Sequence, residues 1–115
     1  MISNDILNFI KNKSFIDLPN ETCGFVIENN NKNLCIPVKN ISFEPKETFK
    51  IDPLDFLKAK SKYKKIQYIY HSHPSKVKNF SKLDIQTSNA ILIPFILYCV
   101  GVDEFNFYYP GETYD

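Results

Sequence analysis

The sequence feature that most restricts the fold is a run of β-branched and aromatic residues, residues 66–70, that leads directly into His71-Ser72-His73-Pro74. Such a composition predicts a β-strand. Residues i and i+2 of a strand point to the same face, about 6.5 Å apart along the chain, so His71 and His73 can direct both imidazoles at one point. Pro74 has no N–H for the ladder and is therefore predicted to end the strand.

A carboxylate follows this histidine pair at the start of a predicted helix. Ten residues separate His73 from Asp84, and the only two histidines of the chain are His71 and His73. Two imidazoles and one carboxylate make a three-ligand set with an open fourth position, as in catalytic zinc sites, whereas structural zinc sites usually close with four ligands and are often rich in Cys. The spacing therefore predicts a metal site formed by His71, His73 and Asp84.

Ser81 and Asp84 also have a purely structural interpretation. The sequence Ser81-x-x-Asp84 matches a capping box, in which Ser81 is the N-cap and Asp84 the third helical residue. Capping would also fix the direction of the Asp84 carboxylate, so capping and metal binding can hold together. For Ser81, capping alone stays an alternative to a catalytic role.

The pattern H-S-H-P-x6-S-x2-D resembles the signature of the JAMM/MPN (JAB-type) zinc metalloproteases, and residues 19–24 are similar to the P-x-E-x-C-G element that this family carries upstream. The resemblance implies a cytidine-deaminase-like fold, bound Zn²⁺, and hydrolysis of a peptide or isopeptide bond in a protein or peptide substrate. Glu21, taken alone, would be interpreted as a solvated loop acid. The roles that the resemblance implies are zinc ligation by His71, His73 and Asp84, general acid–base catalysis by Glu21, and stabilisation of the oxyanion by Ser81.

A further segment is similar to the JAMM half of phage tail-assembly protein K, so that the likeness covers nearly the whole chain. Its matching positions are Asn40, Pro45, Phe49, Ile51, Asp52 and Pro53. The RadC-type branch carries H-N-H-P-S, and Ser75 does follow Pro74 here, but position 72 is serine and the upstream block fits the peptidase branches better. Phage K proteins usually add a second, cell-wall-type peptidase domain, so a phage tail protein or a cell-wall peptidase is an expected partner.

Length and composition predict one soluble domain over residues 1–115, because hydrophobic residues make up 43% of the chain and charged residues 23%. The net charge is +1 and all fourteen basic residues are lysine, so we expect no nucleic-acid binding. The apolar run at residues 90–102 is interrupted by Pro94 and is too short to span a bilayer. Without a secretory signal, we expect no membrane association and a cytoplasmic location, in the host cytoplasm if the chain is phage-encoded.

The cysteines Cys23, Cys35 and Cys99 are odd in number and widely spaced, which argues against a disulfide framework and suits a reducing compartment. Cys23 lies two residues from Glu21 and could be interpreted as a nucleophile. If both histidines bind metal, neither is free to activate it. We therefore predict that Cys23 is a small buried residue.

Periodicity and turn signals predict the other elements of the chain. Ser3, Asp52 and Ser81 are the predicted N-caps, and the Asn-rich residues 28–33 predict a hairpin turn. Helices are predicted at residues 3–13, 52–63 and 81–90, strands at residues 23–28, 34–38, 49–51, 66–71, 94–100 and 105–109, and a frayed tail at residues 110–115. This order predicts an α/β fold in which helices sandwich a mixed β-sheet.

Three functions stay open from the sequence. The first is a zinc metallopeptidase of the phage tail-assembly type, and the second is a bacterial-type isopeptidase that trims ubiquitin-like or sulfur-carrier protein tails. The third is a catalytically silent JAMM scaffold that binds a partner protein. The intact metal set favours the two enzymes, because a scaffold has no need of ligands. The sequence leaves the oligomeric state open.

Overall fold

A mixed β-sheet organises the chain, which the computed structural model describes from residue 2 to residue 114. In chain order the elements are α1 (Asn4–Ile16), β1 (Cys23–Asn29), β2 (Lys32–Val38), α2 (Pro53–Lys62), β3 (Lys65–His73), α3 (Lys82–Ile91), β4 (Phe95–Cys99) and β5 (Glu104–Tyr108). The strands lie in the order β2-β1-β3-β4-β5. β3 and β4 are parallel, and the other neighbouring pairs are antiparallel. The predicted α/β fold with a mixed sheet is thereby confirmed.

Helices cover both faces of the sheet, because the central strands β1, β3 and β4 carry apolar residues on both sides. Ile69 and its neighbours on one face pack against α2 and α3, whereas Tyr70 and its neighbours on the other face pack against α1. The alternation follows from the period of two along a strand. Strands buried on both faces read as continuous apolar runs, which explains the composition of residues 23–27 and 95–99.

The β1–β2 hairpin ends in a tight turn at Asn30 and Asn31, which have φ values of 52° and 64°. Left-handed backbone at both central residues matches the right-handed twist of the flanking strands, and Asn tolerates it better than most residues. The register pairs Asn29 with Lys32 and Cys23 with Val38. The predicted Asn-rich turn is confirmed.

Two boundary predictions were wrong. α1 continues to Ile16 rather than ending near Lys13, and its last turn is stabilised by the ion pair of Lys13 Nζ with Asp17 Oδ1 at 2.9 Å. Residues 49–51 do not form a regular strand, since Ile51 makes only an isolated bridge with Asn40. The loop around residue 50 is held by this bridge, by the hydrogen bond from the Ile41 N–H to the Lys50 carbonyl, and by the Asn40 side chain.

The prediction of a frayed tail was also wrong for residues 110–114. The Tyr114 ring packs edge-on against Phe80 and Tyr108 at centroid distances of 5.7 and 5.8 Å. The Tyr114 hydroxyl accepts a hydrogen bond of 2.9 Å from the Phe80 N–H. The tail therefore folds back onto the loop that precedes α3. Asp115, the last residue of the predicted tail, lies outside the described residues.

Within residues 2–114, no helix combines the length and the apolar character that crossing a membrane requires.

Candidate metal centre

The two histidines lie at the carboxyl end of β3, in the middle of the sheet. His71 and His73 project from the same face as Ile69, towards α2 and α3, and their ring centroids are 5.2 Å apart. His71 is fully buried and His73 is 9% exposed. Because β3 is flanked by β1 and β4, its backbone is fixed on both sides, and the imidazoles are held by a rigid element.

Asp84 reaches the histidine pair from the first turn of α3. The Ser81 hydroxyl oxygen accepts a 3.1 Å hydrogen bond from the Asp84 N–H, and Asp84 Oδ2 accepts one of 2.9 Å from the Ser81 N–H. The predicted capping box is thereby confirmed. The same Oδ2 lies 3.1 Å from His71 Nε2 and 3.8 Å from His73 Nε2. The cap therefore directs the carboxylate at both imidazoles.

The distances from Asp84 to the two imidazoles suit zinc ligands. Ligand atoms about 2.0–2.2 Å from a tetrahedral zinc are about 3.4 Å from one another, close to the observed 3.1 and 3.8 Å. His73 Nδ1 donates a 2.7 Å hydrogen bond to the Val77 carbonyl, so the lone pair of neutral His73 lies on Nε2, facing Asp84. A set of two imidazoles and one carboxylate is typical of catalytic zinc.

Glu21 approaches the pair from the other side, just before β1. Cys23 pairs with His71 across the sheet, and the register continues one step further because the Ser72 N–H donates to the Thr22 carbonyl at 3.1 Å. The Ser72 hydroxyl oxygen in turn accepts a 2.9 Å hydrogen bond from the Thr22 N–H. Ligand-type atoms of Glu21, His71 and His73 all lie within 4.8 Å of one another. Glu21 is 4% exposed and lies well placed to exchange a proton at the site.

The environments of the two carboxyl groups displace their pKa values in opposite directions. Burial raises the pKa of Glu21 to about 8, and the Asp84 carboxylate adds to the shift while His73 opposes it. For Asp84, burial is outweighed by the neighbouring His71 and by hydrogen bonds, which hold its pKa well below the usual range. Burial lowers the pKa of His71. For His73, burial is outweighed by the nearby Asp84 carboxylate, by the hydrogen bond to the Val77 carbonyl and by Glu21, and the pKa is raised.

Ser81 lies next to Asp84 at the surface, where its hydroxyl oxygen accepts the capping hydrogen bond. The hydroxyl proton is therefore free to be donated elsewhere, which keeps the predicted oxyanion role open. Cys23 is 1% exposed, and burial raises the pKa of its thiol to about 12. The prediction that Cys23 is a buried residue is confirmed, and a neutral thiol is a poor nucleophile.

Sequence reasoning did not assign the residues that hold Glu21 in place. The Asn40 amide nitrogen donates to the carbonyls of Glu21 at 3.1 Å and Thr48 at 3.0 Å, and its oxygen accepts from the Lys50 N–H at 3.0 Å. The Glu21 N–H donates to the Pro45 carbonyl at 2.7 Å. The only signal in the sequence was the similarity of the Asn40 segment to phage protein K.

Phe49, from the same loop, is a second contributor that the residues alone did not reveal. Its ring stacks on the His71 imidazole with a centroid distance of 4.5 Å and an interplanar angle of 23°. The rings of Phe80 and Phe95 pack against the same imidazole, each with a centroid distance of 5.9 Å. These rings exclude water from one side of His71 and fix the orientation of its ring.

Comparisons with known proteins agree with this geometry. The family described as prokaryotic homologs of the JAB domain matches residues 7–110. The tail tip assembly protein K of Escherichia phage N15 is 33% identical over 79 residues, which are 69% of this chain and 32% of that protein. The chain thus spans about a third of the length of this curated relative.

Solved structures share the architecture. A protein of Desulfitobacterium hafniense determined in solution superposes with a TM-score of 0.70 at 17% identity, over 94% of this chain and 88% of that chain. The crystal structure of a JAB1/MPN domain protein from Archaeoglobus fulgidus superposes with a TM-score of 0.61 at 17% identity, over 90% and 82% of the two chains. At this identity the similarity describes the fold.

Proposed function

The chain belongs to the prokaryotic JAB-domain (JAMM/MPN) family, and from this premise we propose that it is a zinc-dependent peptidase acting in phage tail assembly. The bond it hydrolyses is a peptide or isopeptide bond of a protein. The observation that carries the proposal is the convergence of two carboxyl groups on His71 and His73: Asp84 Oδ2 lies 3.1 Å from His71 Nε2, and ligand-type atoms of Glu21 lie within 4.8 Å of both imidazoles.

The opposite shifts in pKa suit Asp84 and Glu21 to two different roles. Asp84 stays ionised across the physiological range, as a ligand to a cation must, and its pKa is held well below its usual value beside His71. Glu21, with a pKa raised to about 8, is able both to take up and to release a proton near neutral pH. Carboxyl groups whose environments separate their pKa values in this way are typical of acid–base pairs in enzymes.

In the proposed site, His71, His73 and Asp84 hold the zinc, and the proton on His73 Nδ1 is retained by the Val77 carbonyl. When bound in such a site, zinc supplies Lewis acidity, which polarises a carbonyl group and brings the pKa of water towards ~7. A cation beside Glu21 also favours its ionised form, so the carboxylate is ready to accept a proton.

The residues of the chain carry the proton and orient the groups. The Glu21 carboxylate takes a proton from the attacking water and delivers it to the nitrogen of the leaving amine. Asn40 and Pro45 hold the Glu21 backbone, which keeps the carboxylate at a fixed position relative to His71. The Ser81 O–H donates a hydrogen bond to the oxyanion, and no covalent intermediate with the enzyme is formed.

The biological setting is inferred from the phage relative. That protein's name places it in tail tip assembly, and this chain aligns with 32% of it. A tail protein, or a cell-wall peptidase that acts on the same structure, is therefore the partner we propose. The geometry of the site serves peptide and isopeptide bonds equally, because both carry the same carbonyl and release an amine.

Cleavage with and without metal tests the proposal. Purified protein loaded with one equivalent of zinc is incubated with a proteome-derived peptide mixture and, in parallel, with peptides joined through a lysine side chain. New termini are then identified by mass spectrometry. We expect new termini with the wild type, and none after chelation or with Asp84→Asn, which should also lose zinc.

Two results would contradict the proposal. One is the absence of new termini from both substrate sets with protein whose zinc content has been verified, which would favour a binding role for the fold. The other is cleavage that persists unchanged in chelator or in Asp84→Asn, which would point to a contaminating protease or to chemistry elsewhere in the chain.

A further inference from the structure

An apolar cavity of about 660 Å³ adjoins the candidate metal centre. Ile69 and Phe95 lie at its buried side, and its lining reaches Asp84. Phe49 also lines it, and the ring of Phe49 stacks on His71. The cavity is therefore continuous with the residues that we assign to zinc, and a group bound in it would lie next to the reacting bond.

The rim of this cavity exposes apolar side chains that the fold does not use. Phe43 is fully exposed, and Leu83 of α3 is 60% exposed. Phe43 belongs to the loop that Asn40 fixes through hydrogen bonds to Thr48 and Lys50. A restrained loop that presents an aromatic ring to solvent loses hydrophobic free energy unless a ligand covers the ring.

A second cavity, of about 480 Å³, lies on the Glu21 side of the site and has a different character. Its lining includes charged and amide side chains, namely Lys13, Asp17, Asn20 and Lys39. The apolar cavity thus adjoins Asp84, whereas the polar one adjoins Glu21.

We propose that the apolar cavity is a specificity pocket for a bulky apolar side chain, preferably aromatic, located within two residues of the scissile bond of the substrate. This inference rests on the proposed function and deepens it by naming the class of substrate. The cavity volume falls within the range of sites that enclose small organic ligands, so it accommodates a Phe, Leu or Met side chain together with part of its backbone. Binding energy gained there positions the scissile carbonyl at the metal centre.

Two neighbouring substitutions in α3 provide a matched test. Thr87 is half-buried and lines the cavity, whereas Gln86 is exposed and lies outside its lining. Thr87→Trp fills the cavity with an indole, and Gln86→Trp adds the same group beside it. Neither residue belongs to the proposed catalytic machinery.

In the cleavage arm, zinc-loaded wild type, Thr87→Trp and Gln86→Trp are each incubated with a proteome-derived peptide mixture. We expect the wild type and Gln86→Trp to cut next to bulky apolar residues with a preference of about 100-fold over small polar ones. In Thr87→Trp this preference should fall to about threefold or less. Wild type without a preference, or equal profiles for the two Trp variants, would overturn the inference.

A binding arm separates this inference from the proposed hydrolysis. Zinc-loaded Glu21→Gln protein, alone or with either Trp substitution, is titrated with two blocked fluorescent peptides that differ only in a central Phe or Ser. The Phe peptide should bind about tenfold more tightly, and Thr87→Trp but not Gln86→Trp should remove the difference. Failure of every peptide to be cleaved overturns the hydrolysis alone, whereas equal affinity of the two peptides for the Glu21→Gln protein overturns the specificity pocket.

Discussion

The two faces of the sheet are built from the same strands but do different things. On the face towards α1, Val26, Tyr70 and Ile96 form a closed apolar core with Ile10 of the helix. On the face towards α2 and α3, the core around Ile69 adjoins the apolar cavity, whose lining reaches Asp84 of the candidate metal centre. One face is thus devoted to packing, and the other combines packing with the candidate metal centre.

The difference arises within a single strand. In β3, alternate residues face α1 while Ile69, His71 and His73 face the other helices. Moving two residues along the strand changes the side chain from an alkyl group to an imidazole without changing the direction in which it points. Changes on the α1 face should therefore affect stability, and changes on the opposite face should affect turnover and zinc binding.

The largest effect is expected for Glu21→Gln. The amide keeps the shape of the side chain but cannot accept the proton, so turnover should fall by about 10³-fold. Zinc content should stay at the wild-type level, because we assign the ligand role to Asp84 rather than to Glu21. Steady-state cleavage and metal analysis on the same preparation measure the two quantities.

The matched control is Glu28→Gln, the same substitution further along β1, where the side chain accepts a hydrogen bond from Gln67. Its turnover should stay within about threefold of wild type. If Glu21→Gln loses zinc while Asp84→Asn retains it, the ligand set is Glu21, His71 and His73, and our assignment of the two carboxyl groups is reversed.

A smaller effect on turnover is expected for Ser81→Ala. Loss of the hydroxyl proton should reduce turnover by about 100-fold, and loss of the N-cap should lower the free energy of unfolding by about 1 kcal/mol. Ser81→Thr keeps both the cap and the donor and should restore both quantities. Turnover of Ser81→Ala close to that of wild type, with the loss of stability still present, would reduce Ser81 to a helix cap.

Gly24→Ala tests the α1 face. A Cβ at Gly24 would collide with the Tyr70 hydroxyl and the Ile36 carbonyl oxygen, so the free energy of unfolding should fall by about 3 kcal/mol. Gly111→Ala, where a Cβ meets nothing within 4 Å but φ is +90°, should lose about 1 kcal/mol through backbone strain alone. Urea unfolding measures both. If Gly24→Ala keeps its stability but loses turnover, the division of roles between the two faces is wrong.

The parts of the fold that follow from sequence are those coded by neighbouring residues. The alternation of β3 and the Ser81 capping box depend on residues two or three positions apart, and both were predicted. The contacts of Tyr114 and Ser72 were not predicted, because their partners Phe80 and Thr22 are 34 and 50 residues away. A residue that stabilises a distant segment leaves no periodic signal in its own surroundings.

The candidate site shows the same limit. His71, His73 and Asp84 were predicted as ligands by type and spacing, since zinc ligands are few in kind, and the structure brings the three side chains together. The ring that stacks on His71, Phe49, is an ordinary apolar residue in sequence and gains its role only when the loop folds over β3. Likewise the five hydrogen bonds of the Asn40 amide require a loop conformation that the local sequence pattern does not predict.

The smallest effects are expected for two thiols that lie on opposite faces of the sheet. Burial raises the pKa of Cys23, beside the metal centre, from 9.0 to about 12, and burial raises that of Cys35, which faces α1, to about 12 as well. Both thiols are therefore neutral at physiological pH. Cys23→Ala should leave turnover within about threefold of wild type, and alkylation of the folded protein should be slow at both positions.

The sign of the pH dependence of the free energy of unfolding distinguishes a buried, structural Cys23 from a nucleophilic one. A folded pKa above the unfolded one gives stability that is fully present below pH 9 and is lost as pH rises towards 12, because only the unfolded thiol ionises. Relative to Cys23→Ala, wild type should thus lose about 1 kcal/mol of unfolding free energy between pH ~7 and pH ~10. Cys35→Ala should show a smaller change of the same sign, because Cys35 is only partly buried. A nucleophilic Cys23 requires a lowered pKa and reverses the sign at that position alone, so opposite signs at the two thiols would restore Cys23 as a catalytic candidate.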